Sequence, residues 1–243
     1  MNPLEAGRTF SPYGPSHWAV LVVVAAGAVV LVWLGRRHRE ARSGQVFART
    51  FAVVIVLFAA TVLVYGALAS GWDIGVALPF HLSDLAWMAA AYTLWTRHQW
   101  SYALTYYWGL TLSTIAMITP AIEVPDFPHI DFVDFWAEHA MVVWAVIYLT
   151  WGLGMRPDWR SYATAVSATL TWGVAALGFN TAVGTNYGFV NAKPNAPSLL
   201  DLMGDWPWYL GVEVVLGLAV WALITWPWTR SRGATSSGHP VEA

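Results

Sequence analysis

The chain has 243 residues, of which 57% are hydrophobic and only 11% are charged, and its formal net charge is −2. A soluble domain carries about 25% charged residues, so this composition excludes an ordinary soluble protein and indicates an integral membrane protein. The lack of cysteine excludes disulfides, thiol nucleophiles and thiolate metal sites. We expect no nucleic-acid partner.

Seven apolar runs predict an all-α fold, a bundle of seven transmembrane helices. Each run is close to the roughly 20 residues that a helix needs to cross a bilayer. None alternates with the two-residue period of an outer-membrane barrel strand. The runs are 17–35, 51–70, 78–96, 101–119, 132–153, 161–181 and 207–228.

The arginines predict how the bundle is oriented. Ten of the twelve basic residues follow the first, third, fifth or seventh run, and therefore lie at one end of the bundle. Because basic loops stay on the cytoplasmic side, we expect an outside N-terminus and an inside C-terminus in the inner (plasma) membrane. The runs form one domain, 1–228, and the polar residues 229–243 predict a short disordered cytoplasmic tail.

His81 and Asp84 lie near the start of the third run, three residues apart, so they share one helix face. Ionisable groups inside a membrane segment are costly to place, and function is their default interpretation. Glu138 and His139 lie about two turns into the fifth run, at a similar depth. Because neighbouring residues point about 100° apart, at most one of them faces the centre, and we favour His139.

Further polar residues reach the same outer layer from the sixth and seventh runs and from the loop between them. We expect this group to bind the polar or anionic part of a lipid. The group consists of Asn180, Thr185, Asn186, Tyr187, Lys193 and Glu213.

Structural alternatives remain open for these residues. His81 and Asp84 can serve as a hydrogen-bonded pair between helices. Asn180 can cap the end of the sixth helix, and Lys193 and Glu213 can lie solvated near the headgroups. The sequence alone does not choose between these roles and a functional site.

A buried histidine–carboxylate pair commonly acts as an oriented general base, in which the carboxylate fixes the tautomer. We therefore predict His81 as base or nucleophile, Asp84 as its orienting partner and His139 as a second acid–base group. Imidazole and carboxylate groups are also metal ligands. No H-x-x-x-H or H-E-x-x-H spacing is present, so we expect neither a metal nor another cofactor.

Three groups of motifs carry a resemblance to known proteins. They are PFHLSDL at 79–85, YWG at 107–109 with TP at 119–120, and GTNY at 184–187 followed by KP at 193–194, SLLD at 198–201 and WPWY at 206–209. Together they resemble the YwaF-like bacterial integral membrane proteins, which are related to the eukaryotic transmembrane-protein-164 family. The resemblance covers about residues 50–228 and suggests that the outer loop folds over the site like a lid.

The resemblance implies a lipid acyltransferase-like enzyme, because animal members of the related family are associated with acyl transfer onto ether phospholipids. In those proteins a cysteine directly precedes the motif histidine, where this chain has Phe80. Bacterial relatives often carry a cysteine two residues after it, where this chain has Ser83. Thiol chemistry therefore cannot transfer, whereas His81 and Asp84 match the motif.

The alternative is a non-catalytic lipid-binding, transport or accessory subunit, whose partners are membrane lipids or another membrane protein. A transporter should carry polar groups to both membrane faces, whereas the inner half of these runs is nearly apolar. A binding or accessory role is therefore the better form of this alternative. A retinal photoreceptor is excluded, because the seventh run contains no lysine for a Schiff base.

Overall fold

A computed structural model describes residues 8–39 and 41–233, and in these ranges the regular structure is helical apart from one isolated β-bridge. Seven helices confirm the predicted all-α fold. They are α1 (Pro15–His38), α2 (Arg42–Ala69), α3 (Leu82–Thr96), α4 (99–118), α5 (Ile130–Gly152), α6 (Trp159–Val183) and α7 (Trp208–Gly233). The π-helical turns Trp108–Ser113 and Tyr148–Gly152 lie within α4 and α5, and the loops hold the short helical turns Ile74–Ala77, Tyr187–Phe189 and Leu199–Met203.

Five helices, α1, α2, α5, α6 and α7, are long and apolar enough to cross a membrane. The other two helices, α3 and α4, do not meet this criterion of length and composition. The predicted run 78–96 starts with extended residues, so α3 has only 15 residues and a length of about 22 Å. Both α3 and α4 lie inside the bundle, where protein more than lipid surrounds their side chains. The orientation of the bundle in the membrane stays a prediction.

Small side chains let α3 pack closely against α2. Ala86 and Ala90 of α3 and Ala48 and Ala52 of α2 are all buried in one core. In a membrane, small residues favour helix association because they let two backbones approach each other. Since α3 also packs against α4 and α5, it holds a central position, and its first turn lies among several helices.

Neutral hydrogen bonds join α4 to α7 in the half of the bundle near the arginines. The buried hydroxyls of Tyr107 and Thr225 bond to each other at 2.5 Å, and the Trp221 indole donates to Thr111 at 3.0 Å. Buried polar groups need such partners, because neither lipid nor water reaches them there. The expectation of a nearly apolar inner half is therefore wrong, since buried hydroxyl and indole groups lie there. Only charged side chains are scarce in that half.

The end of α1 crosses the end of α5 at two glycines. A Cβ atom at Gly35 would lie 2.5 Å from Cα of Gly152, so the two backbones are in direct contact. Arg39 strengthens this crossing, because its Nε and Nη2 atoms donate to the Gly152 carbonyl at 3.1 and 2.8 Å. The arginine-rich segment after α1 is thus fixed to the end of α5.

At the opposite end of the bundle, the N-terminal segment is held against the loop between α4 and α5. The N–H of Phe10 donates to the Val124 carbonyl at 2.9 Å. The buried imidazole of His17 accepts from the Tyr13 N–H and donates to the Met117 carbonyl, both at 2.8 Å. These bonds order the end of the bundle that holds the predicted site.

The first part of α7 is covered less than the rest of that helix. Residues 211–216 are all exposed, and six successive helical residues point in every direction around the axis. A Cβ added at Gly211 or Gly217 would meet nothing within 4 Å. This stretch of α7 is therefore not packed against the rest of the bundle.

The predicted tail 229–243 is only partly described. Its first residues, 229–233, continue α7. Residues 234–243 of the predicted tail lie outside the described residues.

Candidate functional site

His81 directly precedes the first turn of α3, and the α6–α7 loop, residues 184–207, covers it. Its Nδ1 atom accepts a hydrogen bond from the backbone N–H of Gly188 at 3.3 Å. Its ring meets that of Tyr187 edge-on, with centroids 4.9 Å apart, and lies 6.1 Å from the ring of Phe189. The loop thus lies over the histidine, as the resemblance suggests.

Asp84 binds the main chain of His81 and not its ring. Oδ2 of Asp84 accepts from the backbone N–H of His81 at 2.7 Å, which caps the first turn of α3. The carboxylate therefore does not fix the tautomer in the predicted way. Because Gly188 donates to Nδ1, the neutral imidazole carries its proton on Nε2. Nε2 makes no hydrogen bond to any described residue and is free to meet a ligand.

Two carboxyl groups of α5 lie near Asp84. Glu138 interacts electrostatically with Asp84 and with Asp134, which lies one turn earlier in α5. Asp134 also interacts with Asp84. Oε1 of Glu138 is buried and has no hydrogen-bond partner among the described residues. Asp84 of α3 therefore interacts with two carboxyl groups of α5, and Glu138 offers an oxygen for a proton or a hydroxyl group.

His139 is bound within its own helix. Its Nδ1 atom donates to the Phe135 carbonyl at 2.7 Å, and its ring lies 4.5 Å from the Phe135 ring. Glu138, and not His139, is the residue that interacts with Asp84. The preference for His139 at the centre and its acid–base role therefore stay predictions.

Asn180 near the end of α6 organises the α6–α7 loop. Its Oδ1 accepts from the Thr185 hydroxyl at 2.8 Å and from the Tyr187 N–H at 2.9 Å. Its Nδ2 donates to the Tyr187 carbonyl and to Oδ1 of Asn191, both at 3.0 Å. A side-chain amide makes at most four such bonds, so Asn180 and Thr185 are used by the loop instead of by a substrate.

Tyr187 and Asn186 also hold the loop together. The buried Tyr187 hydroxyl donates to the Ile74 carbonyl and accepts from the Leu78 N–H. Burial raises the pKa of Tyr187, so this hydroxyl remains protonated. The amide of Asn186 both donates to and accepts from the backbone of Ala192, at 2.8 and 3.1 Å. These side chains therefore fix the cover over His81.

The remaining predicted ligand-binding residues lie apart from His81. Nζ of Lys193 lies 3.8 Å from Asp201 and 3.9 Å from Asp205, so its charge is already balanced within the loop. Glu213 is exposed on α7, one turn after the buried Tyr209, and has no hydrogen bond or ion pair to a described residue. Neither side chain is among the partners of Asp84, Asp134 and Glu138.

Two residues of the site were missed in the sequence. Asp134 precedes Glu138 by four residues, a spacing that places both on one helix face, so a signal was present. Gly188 carries no such signal, because its role depends on a φ angle of 67° and on the closeness of Trp172.

Replacing Gly188 with alanine should move the α6–α7 loop off His81. A Cβ there would lie 2.1 Å from the Trp172 ring, which is held because its Nε1 donates to the Phe80 carbonyl at 3.1 Å. Gly184→Ala is the matched control, since its φ is also positive, 79°, but nothing lies within 4 Å of an added Cβ. Hydrogen exchange should be faster across 184–207 in Gly188→Ala than in Gly184→Ala. Equal exchange in the two variants would show that Trp172 does not fix the loop.

Comparison with known proteins agrees with the fold and the motifs. The TMEM164 family matches the chain over residues 12–225, from before α1 into α7. No curated protein and no solved structure matches the chain. The matched range includes the 79–85 motif that begins α3 and the 184–187 motif that covers His81. With five helices of membrane-spanning length and composition, this is a membrane protein. The chain belongs to the TMEM164 family.

Proposed function

We propose that the protein is a membrane-embedded lipid-modifying enzyme that transfers or hydrolyses an acyl group. The observation that supports this most directly is the free Nε2 atom of His81 beneath an ordered loop. Asp84 binds the main chain of His81 and interacts electrostatically with Asp134 and Glu138 of α5. We propose that His81 supplies a hydrogen-bond donor and Glu138 a proton acceptor to one substrate, as ester chemistry needs.

In the proposed reaction, a carboxylate accepts the proton of an incoming hydroxyl group. We assign this role to Glu138, whose buried Oε1 has no hydrogen-bond partner among the described residues. The hydroxyl oxygen bonds to the acyl carbon and the ester C–O bond breaks. The leaving oxygen takes the proton from Glu138 while the Nε2–H of His81 donates a hydrogen bond to the developing negative charge. Water as the acceptor gives hydrolysis, and a lysolipid hydroxyl gives acyl transfer. The hydrogen bond from the Gly188 N–H to Nδ1 of His81 is long, at 3.3 Å. His81 can therefore also give up this bond and act as base or nucleophile.

A lipid can approach this site along α7. Phe189 lies beside His81, and its carbonyl accepts a hydrogen bond from the Tyr209 hydroxyl in the first turn of α7. The exposed residues 211–216 follow directly. We therefore propose that an acyl chain enters beside α7 while its ester group reaches His81. From the arginine distribution we propose that the site lies in the outer half of the inner (plasma) membrane.

Acyl exchange between labelled lipids, measured with the purified protein in vesicles, tests this function. His81→Ala should lower the rate about 100-fold, the lower end of the usual loss when one hydrogen-bond donor to the developing charge is removed. His98→Ala is the control, because that histidine lies between α3 and α4 at the basic end and bonds to Tyr92. An unchanged rate in His81→Ala would remove the proposed mechanism.

A non-catalytic lipid-binding or accessory role is the second candidate. It is favoured by the number of polar side chains that the loop already uses, including Asn180, Asn186 and Lys193, which leaves few donors for a substrate. In this role the ligands are membrane lipids and the partner is another membrane protein. Co-purification of a lipid or a stoichiometric partner, with no acyl turnover, would favour this role over catalysis.

A further inference from the structure

An open cavity of about 770 Å³ lies at the basic end of the bundle, between the end of α1 and the end of α5. It is far from His81 in the fold and does not depend on the proposed enzyme activity. Its described lining residues are Arg36, Arg37, Arg39, Ala41 and Trp151. In the sequence, segment 36–42 contains four arginines and one glutamate, so the segment is strongly basic.

Two of the arginines are held in place by the end of α5. Nε of Arg36 donates to the Trp151 carbonyl at 3.4 Å, and Nε and Nη2 of Arg39 donate to the Gly152 carbonyl. A guanidinium group has five N–H donors in a rigid fork, so each arginine keeps donors for another acceptor. Because these bonds already fix the side chains, less conformational freedom is lost when a ligand binds.

Arg37 provides the least engaged cation of the cavity. Its guanidinium group lies 5.4 Å from the centre of the Trp33 ring and makes no hydrogen bond to a described residue. Among the described residues, none of the three arginines forms an ion pair with a carboxylate. The cavity therefore presents positive charge that the described protein does not balance.

We propose that this cavity binds the phosphate group of an anionic phospholipid. Guanidinium groups match phosphate oxygens in paired hydrogen bonds, and clustered arginines next to a membrane helix attract anionic lipids. Trp33 and Trp151 are exposed beside the cavity, as is typical of side chains at the membrane–water interface. The position of these indoles favours a lipid headgroup over free phosphate in bulk solvent.

Binding of short-chain phosphatidylglycerol and phosphatidylcholine to the detergent-solubilised protein tests the proposal. We expect phosphatidylglycerol to bind more tightly, and Arg37→Gln to weaken its binding about fivefold, the usual effect of one arginine near an anionic lipid surface. Arg37→Lys should bind phosphatidylglycerol with an affinity between those of the unmodified protein and Arg37→Gln, because lysine keeps the charge but lacks the forked guanidinium group. Arg37 makes no hydrogen bond, so an unchanged melting temperature without lipid should show that both variants fold.

Arg160→Gln is the matched control, since it removes the same charge from α6 outside the cavity lining. It should bind phosphatidylglycerol within about twofold of the unmodified protein, less than the effect expected for a direct contact. If Arg37→Gln and Arg160→Gln weakened phosphatidylglycerol binding equally, the attraction would be diffuse and the proposed site would be overturned. Equal binding of both lipids would overturn the requirement for an anionic headgroup. Competition by inorganic phosphate at the same concentration as the lipid would overturn the choice of a lipid.

Discussion

Glu138→Gln should reduce acyl exchange by at least about 100-fold, because it removes the proposed proton acceptor and keeps the shape of the side chain. Glu138 interacts with both Asp84 and Asp134, and its buried Oε1 has no partner among the described residues. Glutamine cannot take up the proton of an attacking hydroxyl. The acyl-exchange assay in vesicles measures the loss, and thermal unfolding checks that the variant is folded.

His139→Gln is the matched control for Glu138→Gln, since the two residues are adjacent in α5 and similar in depth. His139 donates to the Phe135 carbonyl within its own helix, so we expect a smaller loss of activity than in Glu138→Gln. A larger loss in His139→Gln would restore the assignment made from the sequence.

Asn180→Ala should destabilise the α6–α7 loop by at least about 3 kcal/mol, because each buried group left without a partner costs about 1–3 kcal/mol. The substitution leaves both the N–H and the carbonyl of Tyr187, a residue only 1% exposed, without their side-chain partner. It also removes the acceptor for the Thr185 hydroxyl. Hydrogen exchange across 184–207 should show the loop opening, together with a lower melting temperature.

Two further variants separate this effect from a general weakening of α6. Asn180→Asp keeps the acceptor oxygen and loses the Nδ2 donor, so its effect should be intermediate. Thr164→Ala changes a residue of α6 whose hydroxyl donates to the Arg160 carbonyl within the helix. If Asn180→Ala were no less stable than Thr164→Ala, the loop would not depend on this amide.

The helices could be predicted from the sequence because long apolar runs define them without knowledge of tertiary contacts. The start of α3 could not be predicted, since Leu78, Pro79 and Phe80 are apolar but lie outside the helix. His81 and Asp84 cap the first turn and so mark where the helix begins. The inner half was misjudged for a related reason. Tyrosine and threonine count as mildly apolar or neutral, although their hydroxyls form a buried network there.

The depth of the candidate site was predictable, because the rise of a helix is fixed at about 1.5 Å per residue. Rotation about the helix axis was not, and a 100° difference decides whether Glu138 or His139 meets Asp84. The roles of Asn180 and Lys193 depend on how the loop folds, and the loop conformation includes the left-handed Gly188. Such internal hydrogen bonds and ion pairs have no signature in residue type or spacing.

In the proposed function, His81 of α3 and Glu138 of α5 act in one site on a lipid ester. The most direct measurement is the rate of acyl exchange in His81→Ala, Glu138→Gln and the double variant, compared with the unmodified protein. Residues that act as a unit in one reaction show strongly non-additive losses. We therefore predict that the double variant is about as slow as the slower single variant. Losses that multiply, or no acyl exchange in the unmodified protein, would contradict the account.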